Sequence, residues 1–166
     1  HQKEQRLYIE LPVEQLQKEM LMAATVTDVS NPQLALPGFK NNGPIPIQFV
    51  QKDSLITMEV VNNDLMLDQA SQHLLEEVKG SYTNVTLHTF KLVGYATDST
   101  SLLFEVTDFF LKEQRFFDGL VSNVGSYRLS SSPNSGLSYI DQIKSFENNA
   151  VVTVERSAMV LSLIHI

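Results

Sequence analysis

Ser99-Thr-Ser-Leu-Leu-Phe-Glu-Val-Thr-Asp-Phe-Phe110 decides how this chain is read. Leu102, Phe104 and Val106 alternate with polar or smaller neighbours, which is the period-two pattern of a half-buried strand. Thr107 or Asp108 then stands where a helix N-cap belongs, with a short helix expected through Lys112. The turn Thr97-Asp-Ser-Thr100 precedes it. A strand entered from a tight turn and left through a helical turn implies antiparallel β structure with little helix.

The same alternation recurs outward from this block. Leu7, Ile9 and Leu11 share one face of a first strand, and Pro12 to Lys18 reads as a polar or single helical turn. Met20, Met22, Ala24 and Val26 alternate with Leu21, Ala23, Thr25 and Thr27, the pattern of a strand covered on two sides. Ser30 to Pro44 is a loop rich in proline, glycine and asparagine. Ile45, Ile47 and Phe49, then Ile56, Met58 and Val60, form a hairpin about Gln51-Lys-Asp-Ser54. Asp68 to Lys79 has an apolar stripe at Ala70, Leu74, Leu75 and Val78, a capping Asp68 and Gly80 beyond its end, so a helix is expected. Val85 to Tyr95 is a long strand whose apolar face changes near His88, which predicts a bulge there.

Phe116 to Gly136 is rich in serine, glycine and asparagine and reads as an irregular, mobile loop. Ser138-Tyr-Ile-Asp141 has the form of a capping box, and Tyr139, Ile140, Ile143 and Phe146 follow at helical spacing. Val152, Val154, Ala158 and Val160 complete a last strand, interrupted by Arg156. The fold class is α+β, mainly β: an antiparallel sheet or sandwich of about seven strands with two or three short helices. Residues 1–160 read as a single β-rich domain, truncated at both ends, and Leu161 to Ile166 are open to a reading as a non-native tail.

Composition narrows the functional classes. The 166 residues carry a net charge of −7, and lysines and arginines are scattered, which argues against nucleic acid as a partner. No apolar run approaches the roughly 18 residues of a membrane-spanning helix. Cysteine is absent, which removes disulfides, thiolate metal sites and a cysteine nucleophile. Tryptophan is absent too, and the five tyrosines do not favour a carbohydrate platform.

No catalytic residue stands out. His73-Leu-Leu-Glu76-Glu77 comes nearest to a metal motif, because His73 and Glu77 lie one helical turn apart and could ligate together. A solvated helix face bearing a histidine and two acids explains the same residues. His88 and His165 lie in strand-like runs without an acidic or histidine partner at fixed spacing, and His1 is terminal. Ser126 and Ser135 lack the strand-to-helix turn of a nucleophile elbow. Glu105 and Asp108 are close in sequence, but a mid-strand charge and a helix cap account for both. Asn84-Val-Thr86 fits a glycosylation acceptor, and no phosphate-cradling glycine pattern occurs. The methionines and the Phe109/Phe110 and Phe116/Phe117 pairs are read as core. Substrate-binding residues are not assigned.

Several blocks, in order, carry a resemblance. They are Leu7-Tyr-Ile-Glu-Leu-Pro12, Glu19-Met-Leu-Met-Ala-Ala-Thr-Val-Thr27, Pro46-Ile-Gln-Phe49, Asp98-Ser-Thr-Ser-Leu-Leu-Phe-Glu-Val-Thr-Asp-Phe109, Ser138-Tyr-Ile-Asp-Gln-Ile-Lys-Ser-Phe146 and Val151 to Val160. Together they resemble the domain of unassigned function at the N-terminal side of large bacterial zinc-dependent metallopeptidases of the gluzincin type. The chain departs from that pattern at Glu147-Asn148-Asn149, where proline-glutamate-asparagine is usual, and from Phe116 to Gly136. The resemblance implies an exported parent, periplasmic or at the cell surface, whose H-E-x-x-H zinc site lies in a separate domain. This segment would be non-catalytic, without a cofactor of its own. Its partner would be the peptidase domain of the same chain, with peptide substrate as a further one. Zinc would belong to the parent. Two alternatives stand beside it: a free-standing extracytoplasmic module binding a peptide, glycan or protein, and a small hydrolase using His73, Glu77 or another unrecognised site.

Overall fold

The computed structural model describes residues 6–32, 36–38, 40, 43–61, 84–112, 123–124, 127–133 and 136–162. Two compact units are distinguished: Ile9–Met22 with Pro44–Glu105, and His1–Tyr8 with Ala23–Gly43 and Val106–Ile166.

Strands β1 (Tyr8–Pro12), β2 (Met20–Met22), β3 (Ile45–Lys52), β4 (Leu55–Val60), β5 (Val85–Tyr95) and β6 (Ser101–Glu105) form a six-stranded sheet ordered β1-β6-β5-β4-β3-β2. From β2 to β6 each strand pairs antiparallel with the next. The hairpin expected about Lys52 is present, with Lys52 opposite Leu55 and Asp53 in the left-handed region at φ 54°. The short turns between β3 and β4 and between β5 and β6 favour antiparallel pairing of those neighbours.

The sheet curls. Phe49 on β3 and Phe104 on β6 are three strand spacings apart, about 14 Å in a flat sheet. Their ring centroids lie 5.5 Å apart. Phe90 on β5 touches both, at 6.5 Å from Phe49 and 5.4 Å from Phe104. The connection from β1 confirms the curvature. Val13 donates to the Thr100 carbonyl beside β6, and four residues later Gln17 donates to the Phe49 carbonyl on β3. A single 3-10 turn, Val13–Gln15, lies between them. That span closes only if the sheet brings β6 and β3 toward each other.

The concave face is the core of this unit. Register places Ile47, Phe49, Met58, Ile56 and Phe90 on it, all buried. The bulge predicted near His88 is found: Met58 pairs with His88 but Glu59 with Thr86, leaving Leu87 as the extra residue. A second irregularity leaves Val93 unopposed between Leu92 and Gly94.

The second unit holds helix α1 (Thr107–Leu111) and strands β7 (Asn123–Val124), β8 (Tyr127–Pro133), β9 (Tyr139–Ser145), β10 (Ala150–Glu155) and β11 (Ala158–Ser162). β9 and β10 form a two-stranded hairpin, and β11-β8-β7 a three-stranded sheet. All of these pairs are antiparallel. The fold is therefore mainly β, as expected, with very little helix among the described residues.

Four expectations are corrected. The run from Ser138 to Phe146 holds the strand β9, Tyr139–Ser145, not a helix. The loop expected from Phe116 to Gly136 contains β7 and β8, because pairing with β11 supplies what local composition lacks. The single last strand is two, β10 and β11, in different sheets, with Arg156 and Ser157 between them. Only Met20–Met22 of the second strand is in a ladder; Ala23 to Val29 is not. The helix expected over Asp68 to Lys79 falls outside the described residues.

Candidate functional site

A charged cluster sits on the convex face of β3 and β4, where an outward-facing polar strip would ordinarily be solvated. Glu59 is only 7% exposed. Register sets Gln48 directly opposite it on β3, and its carboxylate collects donors from three segments. Oε1 accepts from Lys52 Nζ at 3.0 Å, and the Thr57 hydroxyl lies 3.3 Å away. Oε2 accepts from Gln48 Nε2 at 3.3 Å and from Asn84 Nδ2 at 3.5 Å. The Thr57 hydroxyl also lies 3.1 Å from the Val50 carbonyl, so it serves one acceptor at a time.

Burial pushes the Glu59 carboxyl up. The hydrogen bonds from Lys52, Gln48 and Asn84, with the ammonium charge of Lys52, outweigh it and hold the group below the usual glutamate range. Glu59 is thus ionised at neutral pH, with donors at both oxygens. A carboxylate so engaged is a poor general base and has no proton to give as an acid. The cluster ties β3 and β4 to Asn84, where the chain enters β5.

The motif residues after Asp98 are also committed to the backbone. Asp98 Oδ1 accepts from the Thr100 amide at 3.1 Å and the Thr100 hydroxyl at 2.7 Å. These bonds hold the carboxyl below the usual aspartate range and close the β5–β6 turn around Ser99, at φ 57°. The cap assignment is corrected here. Val106 occupies the N-cap position of α1 with no side-chain cap bond. The Thr107 hydroxyl instead accepts the Leu7 amide at 2.8 Å, beside a Val106 N–H to Leu7 carbonyl bond of 2.9 Å. Asp108 pairs with Lys112 one turn on.

Arg156 closes the other end of α1. Its Nε donates to the Phe110 carbonyl at 3.0 Å and one terminal nitrogen to the Lys112 carbonyl at 3.1 Å. A cation there satisfies carbonyls that a helix end leaves open. Ser138 Oγ accepts the Ser157 amide at 3.1 Å, joining the start of β9 to the end of β10. Tyr139 donates to Glu155 across the hairpin, and that hydrogen bond, with the carboxylate charge, raises the phenol above its usual value.

His73 and Glu77, Ser126 and Ser135, and Phe116 and Phe117 lie outside the described residues. His88 is on the concave face, its ring 4.7 Å from that of Phe90. Asn84, the glycosylation-type asparagine, spends its amide on Glu59. Among the described residues no group of three or more histidines and acids is placed to hold a metal ion, and no helix is long and apolar enough to cross a membrane. The Glu59 cluster was missed in the sequence. Its signal was a charge at Glu59 inside the apolar run Ile56 to Val60, with Gln48 opposite in a predicted hairpin.

The hairpin of β9 and β10 is different in character. Ile143 is 54% exposed, Phe146 57% and Val151 48%. Ile143 pairs with Val152 on one face, Val151 with Lys144 on the other, and Phe146 lies in the turn. Each face of the outer hairpin thus displays an apolar side chain, with Phe146 beside the polar Glu147, Asn148 and Asn149 of the turn.

Residues 40–162 match the model of a family described as Domain of unknown function (DUF5117). No curated protein and no solved structure gives a significant match.

Proposed function

The chain belongs to the DUF5117 family, and we propose that it is a non-catalytic packing domain, working by docking rather than by chemistry. The observation that carries this reading is the hairpin tip of Ile143, Phe146 and Val151, exposed on both faces. A two-stranded ribbon is marginal alone and is stabilised by something laid against it. Exposed apolar side chains grouped in one place mark such a surface. The ionised groups described above support the reading from the other side, because Glu59, Asp98 and Arg156 are spent on holding backbone and strands together.

The resemblance to the N-terminal part of bacterial zinc metallopeptidases supplies the partner. In this proposal the domain packs against a downstream H-E-x-x-H peptidase domain of an exported parent and helps shape its cleft. Zinc and peptide hydrolysis belong to that parent, not to these residues.

The test is recovery of the complete reading frame, followed by zinc and peptide-hydrolysis assays of the whole product. Bound zinc that disappears when a downstream H-E-x-x-H is mutated, together with weakened activity in Phe146→Asp, is the expected result. A metal-free, inert product with no such motif would overturn the peptidase reading and favour an extracytoplasmic binding module.

A further inference from the structure

Ala23-Ala-Thr-Val-Thr-Asp-Val29 follows β2 without joining a ladder. From Ala23 to Thr27 its exposure alternates: Ala23, Thr25 and Thr27 are exposed and Ala24 and Val26 half-buried; the alternation ends at Asp28, which is exposed. None of these residues has a positive φ. This is the period of an extended strand. In such a strand the N–H and C=O of one residue point to one edge and those of its neighbours to the other. The Val26 carbonyl accepts from the Gly38 amide at 2.7 Å, so the edge of Val26 faces that turn. Among the described residues, the opposite edge, carrying Ala23, Thr25 and Thr27, holds no hydrogen bond.

Open edges are usually blunted by lysine, proline or a bulge. Ala23 to Thr27 contains none of these and no charge, in a chain where 19% of residues are charged and the net charge is −7. Two copies that repel one another elsewhere can approach here with least penalty. The stretch is also self-complementary. Paired antiparallel about Thr25, it sets Thr25 opposite Thr25 and Ala23 opposite Thr27, small or β-branched pairs that suit a ladder. Asp28 falls outside the paired residues.

We propose that this edge pairs with the same edge of a second copy of the chain, forming a two-fold dimer through Ala23 to Thr27. The pairing is short, so association is weak and depends on concentration.

Sedimentation and light scattering of the 166-residue chain, from low micromolar to several hundred micromolar, test it. The mass is expected to rise from 18.7 kDa toward twice that value. Thr25→Pro removes the donor at the two-fold and Thr25→Lys sets two like charges opposite each other. Each is expected to weaken association by about tenfold or more, with an unchanged unfolding midpoint. A wild-type chain that stays monomeric throughout would overturn the proposal. So would association of Thr25→Lys as strong as that of the wild type, which remains decisive if the proline variant misfolds.

Discussion

The concave face of the curled sheet and the outer part of the β9–β10 hairpin are built from the same alternating pattern, yet the first hides its apolar residues and the second displays Ile143 and Val151. In the sheet, curvature brings Phe49, Phe90 and Phe104 together and removes Phe104 from water altogether. In the outer part of the hairpin, Ile143, Val151 and Phe146 keep about half their surface. Alternation fixes which side chains share a face. Closure or a partner decides whether that face is buried.

The contrast is broken most forcefully at its centre. Phe104→Ala is expected to cost about 3–5 kcal/mol, as a large ring lost from a packed core does. Denaturant unfolding followed by near-ultraviolet dichroism reads it. A cost near zero would mean that the sheet is not closed around this ring.

Glu59→Gln comes next, at about 1–2 kcal/mol, since it removes the charge that its donors face. The pH dependence has a definite sign. The folded carboxyl titrates below the unfolded one, so its contribution is full above the ordinary glutamate range and is lost as pH falls through the folded value. The variant should therefore show a flatter acid limb in its stability profile. An unchanged profile would contradict the assignment.

Arg156→Ala removes two bonds to the end of α1 and is expected to cost about 1 kcal/mol. Amide exchange of Lys112, whose N–H bonds the Asp108 carbonyl, should accelerate more than that of β4. Smallest of all is Phe146→Ala, within about 0.5 kcal/mol in the isolated chain because the ring is already exposed. A large loss there would place the hairpin tip in a core and end the comparison.

Much of the first unit was legible because several of its strands alternate apolar and polar residues, even where, as in β4, both faces are buried. Ile45 to Phe49 and Ile56 to Val60 keep strict period two, and even the bulge at Leu87 left a trace where the apolar face switched. The second unit misled for a physical reason. Ile140 and Ile143 are three apart, as on a helix. The structure pairs Val152 with Ile143 and Val154 with Ile140, leaving Asp141 as a bulged extra residue. That bulge sets both isoleucines on one face of a strand and imitates helical spacing. The serine-rich run before Pro133 becomes a strand only because β11 lies beside it. Arg156 looked like a flaw in a strand face; its role at the end of α1 depends on residues 44 and 46 positions away. The Glu59 cluster needed Asn84, which lies beyond a long intervening segment.

The most direct measurement is amide hydrogen exchange of β9 and β10 in the chain alone and in its full-length parent. Slow exchange in β4 and β5 under both conditions, with hairpin protection rising in the parent, is the outcome expected of a docking surface. Hairpin exchange equally fast in both would contradict it.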